Sequence, residues 1–315
     1  MYGRMRMVNF IVNENSKSGK GALVWQDVKA YLDENGLEYS AWFTRHKGHA
    51  RELAAMLSEN EDKCDIIALG GDGTLNEIIN GIKDFSKVRV GLIPSGSGND
   101  FARGLGIADK PVELLKKLIA STEDDLIDIG QLNYCNENGY QSRYFIVSAG
   151  GGIDAYVCKK NDELKVKAIL NKFHLGKLSY FVITLMSLLA MECPDTFVRY
   201  DDGELEHYKG LIFNSAMNFR TEGGGVPMAP DADPRDGYIG NCFIHSIPRI
   251  CTFFYLPWLV TGKHGKFKNI DIKKIKKISL AHKAPLHVHT DGEYLGLSSE
   301  TSFECSGLKA RVIKV

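Results

Sequence analysis

The sequence predicts two domains of different class. An α/β domain spans residues 1–127, with about 306–315 returning to it, and an all-β domain spans 128–305. Two observations predict this. Three times in the first hundred residues an apolar strand runs into a Gly/Ser/Asn turn and then into a helical pattern, the mark of a parallel sheet with helices on its faces. Beyond Asp128, short alternating segments are separated by glycine and polar turns, the mark of β structure. No period of roughly 20 to 50 residues repeats, which excludes a solenoid or propeller.

The first strand–turn–helix unit is Asn9–Val12, then Asn13–Gly21, then Ala22–Asn35. Asp65–Leu69, Gly70–Thr74 and Leu75–Ile82 form the second. The third is Val88–Ile93, Pro94–Asn99 and a helix through Phe101. Strand-to-helix turns of a parallel sheet lie at one edge, where open α/β sheets bind ligands. Glu123, Asp124 and Asp125 read as the linker between domains. In the second domain Arg143–Val147, Tyr208–Phe213, Ile239–Ile244 and Ile270–Leu280 read as strands. Leu164–Met191 is too long for a strand and is broken at Gly176, so it reads as a helix or helix pair. Leu308–Val315 alternates like a strand returning to the first domain.

The 315 residues are 44% apolar and 25% charged, ordinary for a globular protein that buries a large core. A formal charge of zero argues against nucleic-acid binding, which needs a basic surplus. Seven scattered cysteines without a CxxC pair argue against a disulfide framework or a zinc site. Met1–Met7 leads into too short an apolar run for a signal peptide. Tyr180–Met191 and Ile250–Val260 fall short of the roughly 20 residues that span a bilayer. The expected location is cytoplasmic.

Gly70-Gly71-Asp72-Gly73-Thr74 lies between a strand and a helix, where backbone N–H groups and the positive helix end favour an anion. Asp72 inside such a cradle repels phosphate unless a metal ion sits between them, which makes it a candidate Mg²⁺ or water partner. Pro94-Ser95-Gly96-Ser97-Gly98-Asn99-Asp100 repeats the logic, with Ser97 able to donate to phosphate and Asn99 or Asp100 placed to cap the helix. Neither loop is a P-loop, because Lys20 lacks the upstream glycine of GxxxxGK[ST]. Gly150–Ala155 matches GxGxxG/A literally, but no acid lies about 20 residues on to hold a ribose, and the match reads as chance.

These residues carry a resemblance. The Asn13–Gly21 loop with Ser16, Gly19 and Lys20, GGDGTLNE at Gly70–Glu77, PSGSGNDFAR at Pro94–Arg103, and Asp291-Gly292-Glu293 together resemble the bacterial diacylglycerol kinase family, related to sphingosine kinases and more distantly to NAD kinases. The likeness covers essentially the whole chain, including Ala229–Gly237. It departs from the family at Asn13-Glu14, where Asn-Pro is usual. The resemblance implies an N-terminal Rossmann-like parallel α/β nucleotide domain and a C-terminal β-sandwich domain, with ATP in the cleft between them. By the same resemblance Asn13, Ser16, Thr44, Gly70, Gly71, Asp72, Gly73, Thr74, Asn76 and Ser97 would contact the nucleotide. Asp233, Asp236 and the carbonyl of Tyr238 would hold a structural Mg²⁺. Lys20, Asp72, Asp100, Arg103 and Asp128 would form a charged network reaching the catalytic metal, and Glu293 would be the general base.

Other features complete the reading. Asp233-x-x-Asp236 offers two hard oxygen ligands suited to Mg²⁺ or Ca²⁺. His287, His289 and Asp291 alternate along a strand, so they could share one face toward Zn²⁺ or Mn²⁺. From Lys263 to Lys283 eight lysines face one acid, Asp271, just after the aromatic run Phe253–Leu259. That combination suits peripheral contact with an anionic membrane surface, or equally a solvated strand face beside a core segment. The expected function is a lipid kinase acting on a membrane lipid, diacylglycerol by default. A soluble kinase of the NAD kinase type would not need the PSGSGND or Asp233 blocks, and a non-catalytic nucleotide- and lipid-binding module would not need Glu293. No motif encodes oligomeric state, and a homodimer is compatible with the sequence.

Overall fold

The computed structural model describes residues 7–60, 63–163, 187–188 and 190–315. The chain divides into two compact units: Met1–Ile129 with Gly223–Gly225 and Gly307–Val315, and Gly130–Glu222 with Val226–Ser306. The segment read as a helix pair, Leu164–Met191, lies largely outside the described residues.

The first unit is built on four parallel strands, β1 (Val8–Val12), β2 (Tyr39–Phe43), β3 (Cys64–Gly70) and β4 (Val88–Pro94). They alternate with helices α1 (Ser16–Glu34), α2 (His49–Asn60), α3 (Asp72–Gly81), α4 (Asp100–Gly104) and α5 (Pro111–Ala120). Their spatial order is β2-β1-β3-β4, and residues 311–312 add a further parallel pairing to β4. β3 is buried along its whole length, as a continuous apolar run in a sheet covered on both faces should be. Phe10, Val12, Trp25, Val28, Ile67, Leu69 and Leu115 share the core beneath α1 and α5. Of Glu123–Asp125, read as the linker between domains, Asp124 and Asp125 open a strand. There Asp124 accepts from Arg89 at 3.2 Å and from Arg311 Nε at 2.9 Å.

The order β2-β1-β3-β4 reverses direction between β1 and β3. The chain moves outward one way from β1 to β2 and the other way from β3 to β4. Such a switch point leaves a crevice at the carboxyl ends of the two central strands.

The second unit is β-rich. It contains β5 (Asp124–Asn136, entering the unit at Gly130), β6 (Gly139–Phe145), β7 (Ser148–Gly152), β8 (Thr196–Tyr200), β9 (Leu205–Tyr208), β10 (Leu211–Met217), β11 (Ile239–His245), β12 (Ile270–Ile275), β13 (Lys277–Thr290) and β14 (Glu293–Ile313). Among the described residues it also carries helices α6 (Ile153–Glu163) and α7 (Thr252–Val260). β7 lies between β10 and β13, antiparallel to both. Gly150–Ala155 therefore opens a helix after an antiparallel strand, which is not a dinucleotide fold. Ile270–Leu280, read as one strand, is two: β12 pairs with β11, and β13 with β14 and β8. The break falls at Lys276, where Asp201 Oδ1 accepts the N–H groups of both Lys276 and Lys277 at 2.9 Å and ends the first ladder.

Candidate active site

The loops that follow β1, β3 and β4 are joined by short-range hydrogen bonds. Asn13 N–H donates to Leu69 O at 2.9 Å, and Asn13 Nδ2 donates to Thr74 Oγ1 at 3.0 Å. Ser16 and Ser95 share a hydrogen bond between hydroxyls at 2.6 Å. Ser95 N–H donates to Gly70 O at 2.8 Å. Gly71 and Gly96 meet backbone to backbone: a Cβ on Gly96 would lie 2.6 Å from Gly71 Cα, closer than any side chain tolerates. Lys17, Ser18 and Gly19 take left-handed backbone, with φ of 47, 57 and 94°, so the regular part of α1 starts after an open turn. The result is an edge lined with backbone N–H groups and hydroxyls at the switch point, suited to an anion.

Asp72 sits in the first turn of α3. Its oxygens accept the N–H of Asp100 at 3.0 Å and of Phe101 at 3.1 Å. The cap of α4 thus comes from Asp72, whereas the sequence placed it on Asn99 or Asp100. Asn99, at φ 53°, instead closes its own loop on Gly96 N–H at 3.0 Å. Asp100 pairs with Arg103 and accepts Gly224 N–H at both oxygens, 3.1 Å each. Burial pushes the Asp100 carboxyl above the usual carboxylate range, and the Asp72 charge adds to this, while Gly224, Arg103 and Gly225 oppose it. Two close acids answered by one guanidinium suit an added cation.

The remaining nucleotide candidates divide. Thr44 N–H donates to Val12 O at 2.9 Å, so Thr44 lies at the same edge as Asn13. Asn76 is fully buried inside α3 and takes Asn80 Nδ2 at its side-chain oxygen at 3.2 Å. Ser97 and Lys20 are exposed. The buried Asp128 carboxylate takes Lys309 Nζ at 2.6 Å.

In the second unit Asp291-Gly292 forms the two-residue turn between β13 and β14, with φ of 46 and 82°. Asp291 accepts the N–H groups of Ile146, Val147 and Ser148, each at 2.9 Å. Glu293, the first residue of β14, is largely buried and pairs with Arg143 Nη2 at 3.0 Å. His287 and His289 do not converge on one ion. His287 Nδ1 meets Tyr294 OH at 2.8 Å, His289 Nε2 meets Asp154 Oδ2 at 2.7 Å, and the Asp291 oxygens go to the backbone. Asp233, Asp236 and Tyr238 do come together, around one small cavity. Asp236 Oδ2 there takes Lys274 Nζ at 2.6 Å, a cation already drawn to the same oxygen.

Residues 7–132 match the diacylglycerol kinase catalytic domain, and residues 146–312 match the YegS C-terminal NAD kinase beta sandwich-like domain. The chain belongs to the diacylglycerol kinase family. It is 32% identical over 274 residues to a diacylglycerol kinase of Staphylococcus saprophyticus, with 86% of this chain and 83% of that protein covered. A diacylglycerol kinase of Staphylococcus aureus is 30% identical over 273 residues, covering 86% and 80%. In fold, the crystal structure of a diacylglycerol kinase from Bacillus anthracis aligns over 99% of this chain and 98% of its own, with a TM-score of 0.68 at 18% identity.

Like its family, the chain is a lipid kinase. Among the described residues no helix is long and apolar enough to cross a membrane. Sequence reasoning missed several residues of this lipid kinase that the structure pairs with the candidate residues of each unit. Ser95 is buried against Ser16, and Arg143 partners Glu293 from 150 positions away. Glu77 accepts Gly48 N–H at 2.8 Å and Ala50 N–H at 3.1 Å, fixing the loop after Thr44. The Gly223–Gly225 run was visible as a glycine cluster, but nothing local tied it to Asp100. His46, in the loop after Thr44, clusters with His49 and Glu52 in the first turn of α2, where the sequence neighbours Arg45, Lys47 and Arg51 oppose a cation.

Proposed function

We propose that this lipid kinase transfers the γ-phosphoryl of ATP, with Mg²⁺, to the hydroxyl of diacylglycerol, giving phosphatidic acid, and works from the cytoplasm at the inner face of the cell membrane. The observation that carries this reading is the joined set of loops at the switch point, with Asp72, Asp100 and Arg103 beside an N–H-lined edge. The names of the staphylococcal relatives support diacylglycerol as the acceptor.

In this reading Asn13, Ser16, Thr44, Gly70–Thr74, Asn76 and Ser97 hold the nucleotide, and Lys20 and Arg103 face its phosphates. Asp72 and Asp100 are the acids that would hold the catalytic Mg²⁺, which when bound neutralises charge on the transferred phosphoryl. Asp128, whose carboxylate is held by Lys309, is the further acid of the charged network. Glu293, oriented by Arg143, takes the proton of the lipid hydroxyl. Asp233, Asp236 and the Tyr238 carbonyl fit a structural Mg²⁺, being hard oxygen donors around one cavity. α7 presents Phe254, Trp258 and Val260 to solvent, and Lys263, Lys266 and Lys268 follow it, a pairing that suits an anionic lipid surface.

Pure protein is incubated with γ-labelled ATP, Mg²⁺ and diacylglycerol in phosphatidylglycerol vesicles, and labelled phosphatidic acid is the expected product. Label in another lipid alcohol but not in diacylglycerol would overturn the acceptor, and label in NAD would overturn the lipid reading. Asp236→Ala should reduce thermal stabilisation by added Mg²⁺, because an ion bound only by the native state stabilises it by mass action. An unchanged Mg²⁺ response would move the ion elsewhere.

A further inference from the structure

Glu222 has no part in the roles above, yet it is 7% exposed. A buried carboxyl needs partners for its oxygens. Glu222 takes Ser215 Oγ–H at 3.2 Å and is bonded by Ser148 as well. Close to it is the His289–Asp154 pair. Burial pushes the Glu222 carboxyl up to about 7, with the Asp154 charge adding and His289 opposing. Its backbone is fixed too. Glu222 N–H donates to Val226 O at 3.0 Å, and Val226 N–H donates to Glu222 O at 2.8 Å.

That bridge closes a loop of three glycines. Gly223, Gly224 and Gly225 have φ of 60, 88 and 106°, a left-handed run that other residues rarely sustain. The loop belongs to the first unit, although the chain on both sides of it belongs to the second. Its tip is spent on Asp100, whose two oxygens both take Gly224 N–H at 3.1 Å. A Cβ on Gly225 would lie 3.4 Å from Arg103 Cδ and Nε, so the loop also lies against the partner of Asp100.

We propose that Gly223–Gly225 is a strap that positions the Asp100 carboxylate for phosphoryl transfer, and that Glu222 is its anchor and so a positioning residue. This rests on the kinase reading of Asp100. The Asp100 carboxylate is gripped by Gly224 N–H and by the Arg103 guanidinium, which together fix its rotation. Released from the strap, the buried carboxylate loses an N–H that favours its charged form, and it turns freely on Cα–Cβ. The glycines make the close approach feasible, and the bonded Glu222 side chain keeps the loop root from drifting.

Three variants test this. Glu222→Gln keeps shape and hydrogen bonding, and Glu222→Ala removes both. Gly224→Ala leaves Glu222 intact and meets nothing within 4 Å, but it asks alanine to hold φ +88°. Diacylglycerol phosphorylation is measured with ATP affinity and with amide hydrogen exchange across residues 222–226. Glu222→Ala and Gly224→Ala should speed exchange in that segment and lower kcat about tenfold or more, with KM for ATP within about threefold. Glu222→Gln should stay within about threefold of wild type in kcat. Faster exchange at wild-type kcat overturns the positioning role, and unchanged exchange in Glu222→Ala overturns the anchor. Gly224 is exposed, so its variant decides the matter even where Glu222→Ala fails to fold. A wild-type protein that phosphorylates no lipid would strike the kinase reading instead, while the exchange comparison still decides the anchor.

Discussion

The two units solve the same problem twice with different materials. In each, one aspartate gives its oxygens to backbone N–H groups, and a second acid nearby is paired with an arginine. Asp72 caps Asp100 and Phe101 while Asp100 pairs with Arg103. Asp291 gathers Ile146, Val147 and Ser148 while Glu293 pairs with Arg143. The difference lies in sequence distance. Asp100 and Arg103 are one helical turn apart, whereas Glu293 and Arg143 are 150 positions apart. A carboxylate bonded by several backbone amides is fixed in position by them. In the proposed mechanism the arginine-paired acids, Asp100 and Glu293, are given roles in the chemistry, and Asp72 shares the metal role with Asp100.

The largest expected effect tests that division directly. Glu293→Gln keeps size and hydrogen bonding but removes the proton acceptor, and kcat should fall about 10² to 10⁴-fold. ATP affinity should hold within a few-fold, since a base does not supply uniform binding. Turnover near wild type would take Glu293 out of the mechanism, and joint loss of turnover and ATP binding would make it structural.

Asp291→Ala should act on stability instead. It strands three backbone N–H groups, and hydrogen bonds to a charged group contribute about 1.5 to 3 kcal/mol each before relaxation. Chemical denaturation should show a loss of about 3 kcal/mol or more. A loss below about 1 kcal/mol would mean that the turn is held by its strand pairing alone.

His282 and Asp100 should contribute pH dependences of opposite sign. Burial pushes His282 down to about 4, and its ring lies 3.0 Å from Thr196 Oγ1. Between about 6.5 and 4 the unfolded chain takes up a proton that the folded chain refuses, so stability is lost as pH falls through this window, by about 3 kcal/mol in full. His282→Gln should flatten that slope in denaturation series run across the window. Asp100 runs the other way. Its raised pKa means that the folded chain keeps a proton that the unfolded chain releases, so its contribution declines as pH rises out of the usual carboxylate range. A His282→Gln slope equal to that of wild type across this window would refute the reading of His282.

The smallest effect belongs to the surface. Lys29 and Asp33 pair at i,i+4 on α1 with both side chains about half exposed, and such pairs contribute about 0.5 kcal/mol or less. Lys29→Ala should leave the thermal midpoint within about 2 °C of wild type.

Much of this was legible in the residues. Three apolar runs followed by Gly/Ser/Asn turns gave β1, β3 and β4 and the loops after them, because strand periodicity and turn chemistry are local. The Asp291-Gly292 turn was legible for the same reason. β2 was not, because Tyr39–Phe43 is only partly buried and lacks the continuous apolar run of β3. Ile270–Leu280 read as one strand because its alternation continues through Lys276, while the break comes from Asp201, 75 positions earlier.

By itself, then, the sequence determined the alternation of strand and helix, the glycine loops and the acids they carry, since these follow from propensities and spacings within about ten residues. The tertiary structure decided the order β2-β1-β3-β4 that brings the loops after β1 and β3 together at one crevice. It also decided which carboxylates are spent on backbone amides, and which arginine or glycine strap answers the others. Those outcomes depend on pairings between residues far apart in the chain, formed only when burial brings them together, and no local pattern encodes them.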